Sequence, residues 1–379
     1  MRSFDNPALG PQVHLMSNGR YQVVITNAGG GYSRWGDLAI TRWREDVTRD
    51  HWGTFIYLRD AATGEFWSSA YQPTLRPAER YEVTFTDALA EFRQQLSDLE
   101  VRLQIGVSAE DDVEFRRVTL GNRGSRTRSI ELTSYAEVVL APPGADLAHP
   151  VFSNLFVQTE FIDSALLCTR RPRAEGERTP WFLHFLAGQD GLTNSVSCET
   201  DRARFVGRGQ TPANPAAMLD TSALSNTTGS VLDPIVSLRH SVSLVPGESV
   251  SLDFVFALTD SREAALALVK KYRERRAVGR VLDLGQTENT SHQQDLTEGT
   301  PAIYERLAGA LIYADPTLRA APMFCCATGV VRAGSGVLES RVTCRSSCSR
   351  SVTRLKSGWC GNSSRRTRTG VRRRWRLTS

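Results

Sequence analysis

Four tryptophans, Trp35, Trp43, Trp52 and Trp67, fall within 33 residues of one another, and Arg34, Arg42, Arg44, Asp46, Asp50, Arg59 and Asp60 are interleaved with them. This mixture suits recognition of a polyhydroxylated ring, because an aromatic face packs on the C–H side of a pyranose while fixed polar groups bond its hydroxyls. Tyr32, Arg34, Trp35, Arg42, Arg44 and Asp46 are therefore the candidates to face a substrate or an adjoining domain. Core tryptophans and structural ion pairs would leave the same residues, and Trp43 and Trp67 are read as core. His149, which follows the loop signal Ala141-Pro-Pro-Gly144, is a further candidate, weighed against an ordinary structural histidine.

Cleaving a glycosidic bond needs an acid on the leaving oxygen and an opposed carboxylate, or phosphate itself in an inverting phosphorolysis. Glu45-Asp46 and Asp111-Asp112 are carboxylate pairs, but neighbours on a strand point to opposite faces, and the second pair reads as a turn. No catalytic residue is assigned. Gly29-Gly30-Gly31 lacks the Lys-Ser/Thr of a phosphate loop and the spacing of a dinucleotide fingerprint, so it reads as a tight turn passing close to a neighbouring backbone.

The elements that must position these residues are mostly strands, since short alternating runs recur with turn chemistry between them. Val118-Thr-Leu120 and Ile130-Glu-Leu132 flank Gly121-Asn-Arg-Gly-Ser125, a hairpin signal. Ser241-Val-Ser-Leu244 and Val250 to Phe256 flank Val245-Pro-Gly-Glu248, with Leu252, Phe254, Phe256 and Leu258 on one side at period two. Many antiparallel segments at this spacing predict a large sandwich. From Asp260-Ser261 the period changes: Ala265, Leu268, Val269 and Tyr272 predict a helix, and Ile303, Leu307, Ala310 and Leu311 a second one from Pro301 to Tyr313. Residues 285–300 read as a polar loop.

The chain has 379 residues, 40% hydrophobic, and a formal charge of +5. Residues 323–379 carry 13 Lys+Arg against one acid, Glu339, which leaves the first 322 residues at −7. An acidic body lacks the basic face that phosphate-backbone binding requires, so no nucleic-acid partner is expected. Five of the seven cysteines, Cys325, Cys326, Cys344, Cys348 and Cys360, crowd the basic segment without an accompanying histidine, and no metal is expected. No apolar run approaches the ~20 residues of a bilayer span, and the first residues lack a signal-peptide apolar region. The expectations are a cytoplasmic location and no membrane contact by this segment.

The strings Ser17-Asn-Gly-Arg-Tyr21, Thr26 to Trp35, Thr41-Arg-Trp-Arg-Glu-Asp46, Asp50-His-Trp-Gly53, Phe66 to Pro73, Glu131 to Glu137, Ala148 to Ser153, Glu199 to Phe205 and Val231-Leu-Asp-Pro234 together resemble glycoside hydrolase family 94, formerly glycosyltransferase family 36. The likeness covers roughly residues 11–322 and is strongest to the phosphorylase-like modules of cyclic β-1,2-glucan synthases. It implies a mainly β fold: a large antiparallel β-supersandwich of the galactose-mutarotase type over residues 1–258, followed by a short helical linker over 259–322. In that family an (α/α)₆ barrel holds the general acid and the phosphate site. It also implies a β-glucan or gluco-oligosaccharide and the barrel as partners, inorganic phosphate as a substrate of the phosphorylases rather than a cofactor, and membrane anchoring of the synthases through other segments.

The chain is expected to stop before the barrel. Residues 328–348, recoded one base out of frame, yield Leu-Trp-Gly-Phe-Gly-Ile-Ser-Gly-Asp, which resembles the family's entry into its barrel, so residues 323–379 are read as a frameshifted, disordered basic tail. A non-catalytic portion of a glucan-processing enzyme is then the first reading, and a free-standing carbohydrate-binding module the alternative. Sequencing the gene through codon 322 is expected to reveal a second frame that continues the family pattern. Three frames without such a continuation would refute the frameshift.

Overall fold

The computed structural model describes residues 1–7, 10–46, 48–177, 179–187, 196–273, 279 and 300–313. The polar stretch 285–299 and the basic segment 323–379, with the readings attached to them, lie outside the described residues. Two units are distinguished, Met1–Arg306 and Leu307–Ser379; the first holds every strand described below.

In chain order the strands are β1 (Arg2–Phe4), β2 (Val13–Ser17), β3 (Tyr21–Thr26), β4 (Gly31–Trp35), β5 (Leu38–Thr41), β6 (Phe55–Asp60), β7 (Phe66–Ser68), β8 (Arg80–Phe85) and β9 (Leu89–Leu96). They continue as β10 (Leu99–Val107), β11 (Val113–Asn122), β12 (Arg128–Ala141), β13 (Val157–Ile162), β14 (Ala165–Arg170), β15 (Trp181–Ala187), β16 (Ser197–Asp201), β17 (Pro234–Leu244) and β18 (Ser249–Thr259). One sheet runs β1-β8-β9-β10-β11-β18-β15-β14-β13. The other runs β16-β17-β12-β5-β4-β3-β2, with β6 and β7 branching from β12. Every described pairing is antiparallel. The molecule is mainly β, as expected.

The two sheets face each other across an apolar interior built from alternate residues: Val118 and Leu120 of β11, Ile130 to Leu140 of β12, and Leu252, Phe254, Phe256 and Leu258 of β18. The predicted hairpin at Gly121–Ser125 is corrected. β11 pairs with β10 and β18, while β12 pairs with β17, β5 and β6, so this turn crosses from one sheet to the other. The turn between β17 and β18 crosses in the same way. Asn122 stitches the two crossings together, donating its side-chain amide to Arg126 O at 2.7 Å and to Leu244 O at 3.0 Å. Turn residues permit a reversal, but hydrogen-bond partners decide whether it becomes a hairpin or an arch.

Helices cover the outer faces. α1 (Pro143–Ala148) and α2 (Pro150–Asn154) follow β12, α3 (Arg202–Val206) and α4 (Ala216–Leu219) lie between β16 and β17, and α5 (Arg262–Arg273) follows β18. Ser261 caps α5, accepting from Ala264 N at 3.1 Å, and Ala265, Val269 and Tyr272 pack on Leu183, Val255 and Ala257. The second predicted helix is α6 (Thr300–Ile312). Its Glu305 bonds His14 Nδ1 at 2.6 Å and Arg2 at 2.5 Å. The triple-glycine turn is a close approach as read: a Cβ on Gly30 would sit 2.3 Å from Asp50 Oδ1, and one on Gly31 (φ +146°) 1.9 Å from Val24 O.

His184 of β15 crosses the interior to Ser134 of β12. Its Nδ1 donates to Val255 O at 3.1 Å, which leaves Nε2 to accept the Ser134 hydroxyl at 2.6 Å, and its ring stacks on Phe256 at 4.1 Å. Burial pushes the imidazole pKa down to about 3 from its ordinary 6.5. The unfolded chain takes up a proton below pH 6.5 that the folded chain refuses until about pH 3, so stability falls with acidification across that window, by roughly 1.4 kcal/mol per unit. Urea unfolding at pH 7, 5 and 4 is expected to show this slope in the wild type and a shallower one in His184→Asn.

Candidate functional site

The polar surface with the richest chemistry lies on the outer face of the β12 sheet, where the segment after β5 meets α1, α2 and the start of β17. Arg42 is its centre. The guanidinium donates from Nη1 to Glu137 Oε2 at 2.6 Å and Asp233 Oδ1 at 3.1 Å, and from Nη2 to Asn154 Oδ1 at 2.7 Å. Its Nε faces Asp146 Oδ1 at 3.5 Å. Glu137 also accepts from Arg202 Nε at 2.7 Å and from the Tyr135 hydroxyl at 2.7 Å. Asn154 Nδ2 donates to Asp233 at 2.9 Å, and Arg44 donates to the other oxygen of Asp146 at 2.8 Å. Arg42, Glu137, Asp146 and Asn154 are all buried.

Local sequence explains the placement. Tyr135 and Glu137 project outward because they alternate with Ala136 and Val138, which enter the interior. The backbone locks the register: Arg42 N donates to Glu137 O at 3.0 Å, and Arg202 N to Asp233 O at 3.0 Å. Burial alone would lower the Arg42 pKa, but Glu137, Asp233 and Asp146 outweigh it and hold it above its ordinary value. Burial would raise Glu137, and Arg42 and Arg202 instead hold it low. Asp233 is shifted up, by burial first and by repulsion from Glu137, against the pull of Arg42 and Arg202.

The sequence candidates divide. Arg42 and Arg44 meet at Asp146. Tyr32, pointing outward from β4, lies against Trp43 with ring centroids 5.3 Å apart. Arg34, also outward on β4, is half-buried. Trp35 turns the other way: it is buried in the sandwich interior and donates its indole N–H to Asp112 at 2.7 Å. Trp67 is a core residue, while Trp43 is half-buried. Asp46 accepts from the hydroxyl of Thr48 at 2.7 Å and its N–H at 2.9 Å, which holds its carboxyl below the ordinary range. His149 is exposed between α1 and α2, with its carbonyl accepting from Ser153 N at 2.9 Å.

Arg59 and Asp60 serve elsewhere. Arg59 is fully buried and grips the Asp220 carbonyl, and Asp60 pairs with Arg128 at 2.6 Å. Glu137, Asp146, Asn154, Asp233, Tyr135 and Arg202 were not singled out from sequence. Glu137, Arg202 and Asp233 do sit within the strings quoted for the family resemblance, and that membership was the available signal. Among the described residues no group of three or more His, Cys, Asp and Glu side chains could hold a metal ion.

Because Arg42 compensates the buried carboxylates of Glu137 and Asp146 along with the partly exposed Asp233, Arg42→Ala is expected to destabilise the protein by about 3–5 kcal/mol. Arg44→Ala, which removes a partly exposed cation and leaves Asp146 facing Arg42, should cost less, about 1 kcal/mol. Denaturant titration checks both, and the Arg42→Ala deficit should shrink as pH falls through the carboxylate range and Glu137 is neutralised.

Residues 2–275 match the family model described as glycosyl hydrolase 94, supersandwich domain. The chain is 38% identical over 310 residues to the cyclic beta-(1,2)-glucan synthase NdvB of Rhizobium meliloti (strain 1021), covering 81% of this chain and 11% of that protein. It is 26% identical over 300 residues to a solabiose phosphorylase of Paenibacillus borealis, covering 77% and 38%. It is 24% identical over 262 residues to a 3-O-beta-D-glucopyranosyl-beta-D-glucuronide phosphorylase of the same organism, covering 66% and 31%. The matched region thus spans between about a tenth and two fifths of the length of these relatives. Among the described residues no helix is long and apolar enough to cross a membrane. The chain belongs to the glycosyl hydrolase 94 family, whose supersandwich domain occupies residues 2–275.

Proposed function

We propose that residues 2–275 form the non-catalytic, sugar-facing scaffold of a β-glucan phosphorylase or cyclic β-1,2-glucan synthase, working beside an (α/α)₆ catalytic barrel to which residues 259–322 lead. The observation that carries this reading is the Arg42 network. It holds α1, α2 and the segment after β5 in one rigid arrangement, so that a surface at this edge of the sheet is organised in advance. Beside it stand the half-buried Tyr32–Trp43 pair and the exposed apolar side chains of Leu147, Val151 and Phe152. Aromatic and apolar groups around fixed charges suit the two-faced chemistry of a pyranose.

The names of the relatives support a β-linked gluco-oligosaccharide, neutral in one case and a glucuronide in another. Glu137 and Asp146 are held by arginines, so neither is free to deliver a proton to a leaving oxygen, which supports a scaffold rather than a catalytic role.

Calorimetric titration of the chain with β-1,2-gluco-oligosaccharides is expected to show heat of binding that is lost in a Tyr32→Ala, Trp43→Ala double variant. An incubation with the same oligosaccharides and phosphate should release no glucose 1-phosphate. Release of that product would overturn the non-catalytic assignment, and an absence of binding heat would overturn the sugar-facing one.

A further inference from the structure

We propose that Arg34 is the anion-recognising group of a subsite for a carboxylate- or phosphate-bearing saccharide on the outward face of β3–β5, with the Tyr32–Trp43 pair as its platform. This subsite presupposes the sugar-facing surface proposed above.

The arginines of the neighbouring network are matched. Arg42 has Glu137 and Asp233, Arg44 has Asp146, and Arg202 has Glu137. Arg34 differs. Its side chain makes no ion pair or hydrogen bond among the described residues, and its Nε is shielded from solvent without an acceptor there. Its cross-strand neighbours, Gln22 on β3 and Ala39 on β5, carry no charge. Alternation along β4 sends Ser33 and Trp35 into the interior and puts Arg34 on the same face as Tyr32. The two are close enough that the Arg34 charge opposes the burial that raises the Tyr32 hydroxyl pKa.

A half-buried guanidinium without an anion is an incomplete arrangement: desolvation disfavours the charge, and five N–H donors need acceptors. Sugar hydroxyls would satisfy the donors but leave the charge. A carboxylate or phosphate satisfies both, and its paired oxygens match the planar fork of the guanidinium. An anionic group on a sugar ring also uses the neighbouring Tyr32 and Trp43 faces, which a bare anion would leave unfilled.

The test is calorimetry of the full chain at low salt with five probes: glucose, a neutral β-1,2-gluco-oligosaccharide, glucose 1-phosphate, a β-glucosyl glucuronide and inorganic phosphate. At least one of the two anionic sugars is expected to bind about tenfold or more tighter than glucose, to weaken with added salt, and to lose about tenfold in Arg34→Gln with partial retention in Arg34→Lys. Which anionic sugar wins identifies the carboxylate or the phosphate as the recognised group. The neutral oligosaccharide is expected to lose less affinity in Arg34→Gln than the anionic sugars do, and urea-unfolding midpoints equal to the wild type's show that both variants fold. Anionic sugars binding no tighter than glucose, or equally well to Arg34→Gln, would overturn the subsite while leaving the sugar-facing surface standing. Inorganic phosphate binding as tightly as the sugar phosphate would overturn the saccharide component. No binding of any sugar would overturn both readings.

Discussion

A buried charge pair between the two sheets sets the terms for the rest of the structure. Glu114 and Arg116 both project from β11 into the sandwich, where an ion pair is tolerated only if its remaining donors and acceptors are used. Glu114 accepts from Arg116 Nε at 2.6 Å, from the Ser33 hydroxyl at 2.6 Å and from the Tyr21 hydroxyl at 3.1 Å. Arg116 donates to Thr54 O at 2.6 Å. These partners come from β3, β4 and the approach to β6, all in the opposing sheet. Satisfying one buried pair therefore fixes how the sheets sit on each other, and burial together with Glu114 pushes the Tyr21 hydroxyl well above its ordinary pKa.

That constraint reaches the outer face through strand alternation. With Ser33 and Trp35 held inside by Glu114 and Asp112, Tyr32 and Arg34 can only point outward. The tight turn at Gly30 and Gly31 seats Asp50 against β4, and Gly31 N donates to Trp52 O at 2.7 Å, so the segment between β5 and β6 is pinned near its β6 end. Arg42 then ties that segment to β12, α2 and the start of β17. A surface built in this way inherits its shape from the interior, although none of its residues lies there.

Arginine recurs wherever irregular chain must be held against the sheet. Arg59 and Arg239 project from β6 and β17 into the outer layer, where Arg239 donates to Ser222 O at 2.7 Å and Ala217 O at 2.5 Å, and Arg59 reaches the Asp220 carbonyl. Burial and its neighbour Arg59 lower the Arg239 pKa to about 10. Arg170 does the same for α2, donating to Ser153 O at 2.8 Å. A planar guanidinium satisfies several carbonyls at once, which suits it to anchoring loops that lack ladder partners of their own. Against this background of engaged arginines, the lack of a described partner for Arg34 stands out.

The amino-acid sequence by itself determined the local facts: the alternation that assigns each strand residue to a face, the Ser261 cap and stripe of α5, the close passage at Gly29–Gly31, and the strings that mark the family. Each depends on residues a few positions apart, where period and propensity act directly. Tertiary structure alone decided which strands pair, and so turned two apparent reversals into crossings between sheets. It also sent Trp35 inward and drew Glu137, Asp146, Asn154 and Asp233 around Arg42. The reason is separation along the chain. Arg42 meets Glu137 across 95 residues and Asp233 across 191, and no local periodicity relates positions that far apart. An arginine reads the same in sequence whether three carboxylates converge on it, as on Arg42, or none among the described residues does, as on Arg34; only the packing of the sheets distinguishes the two.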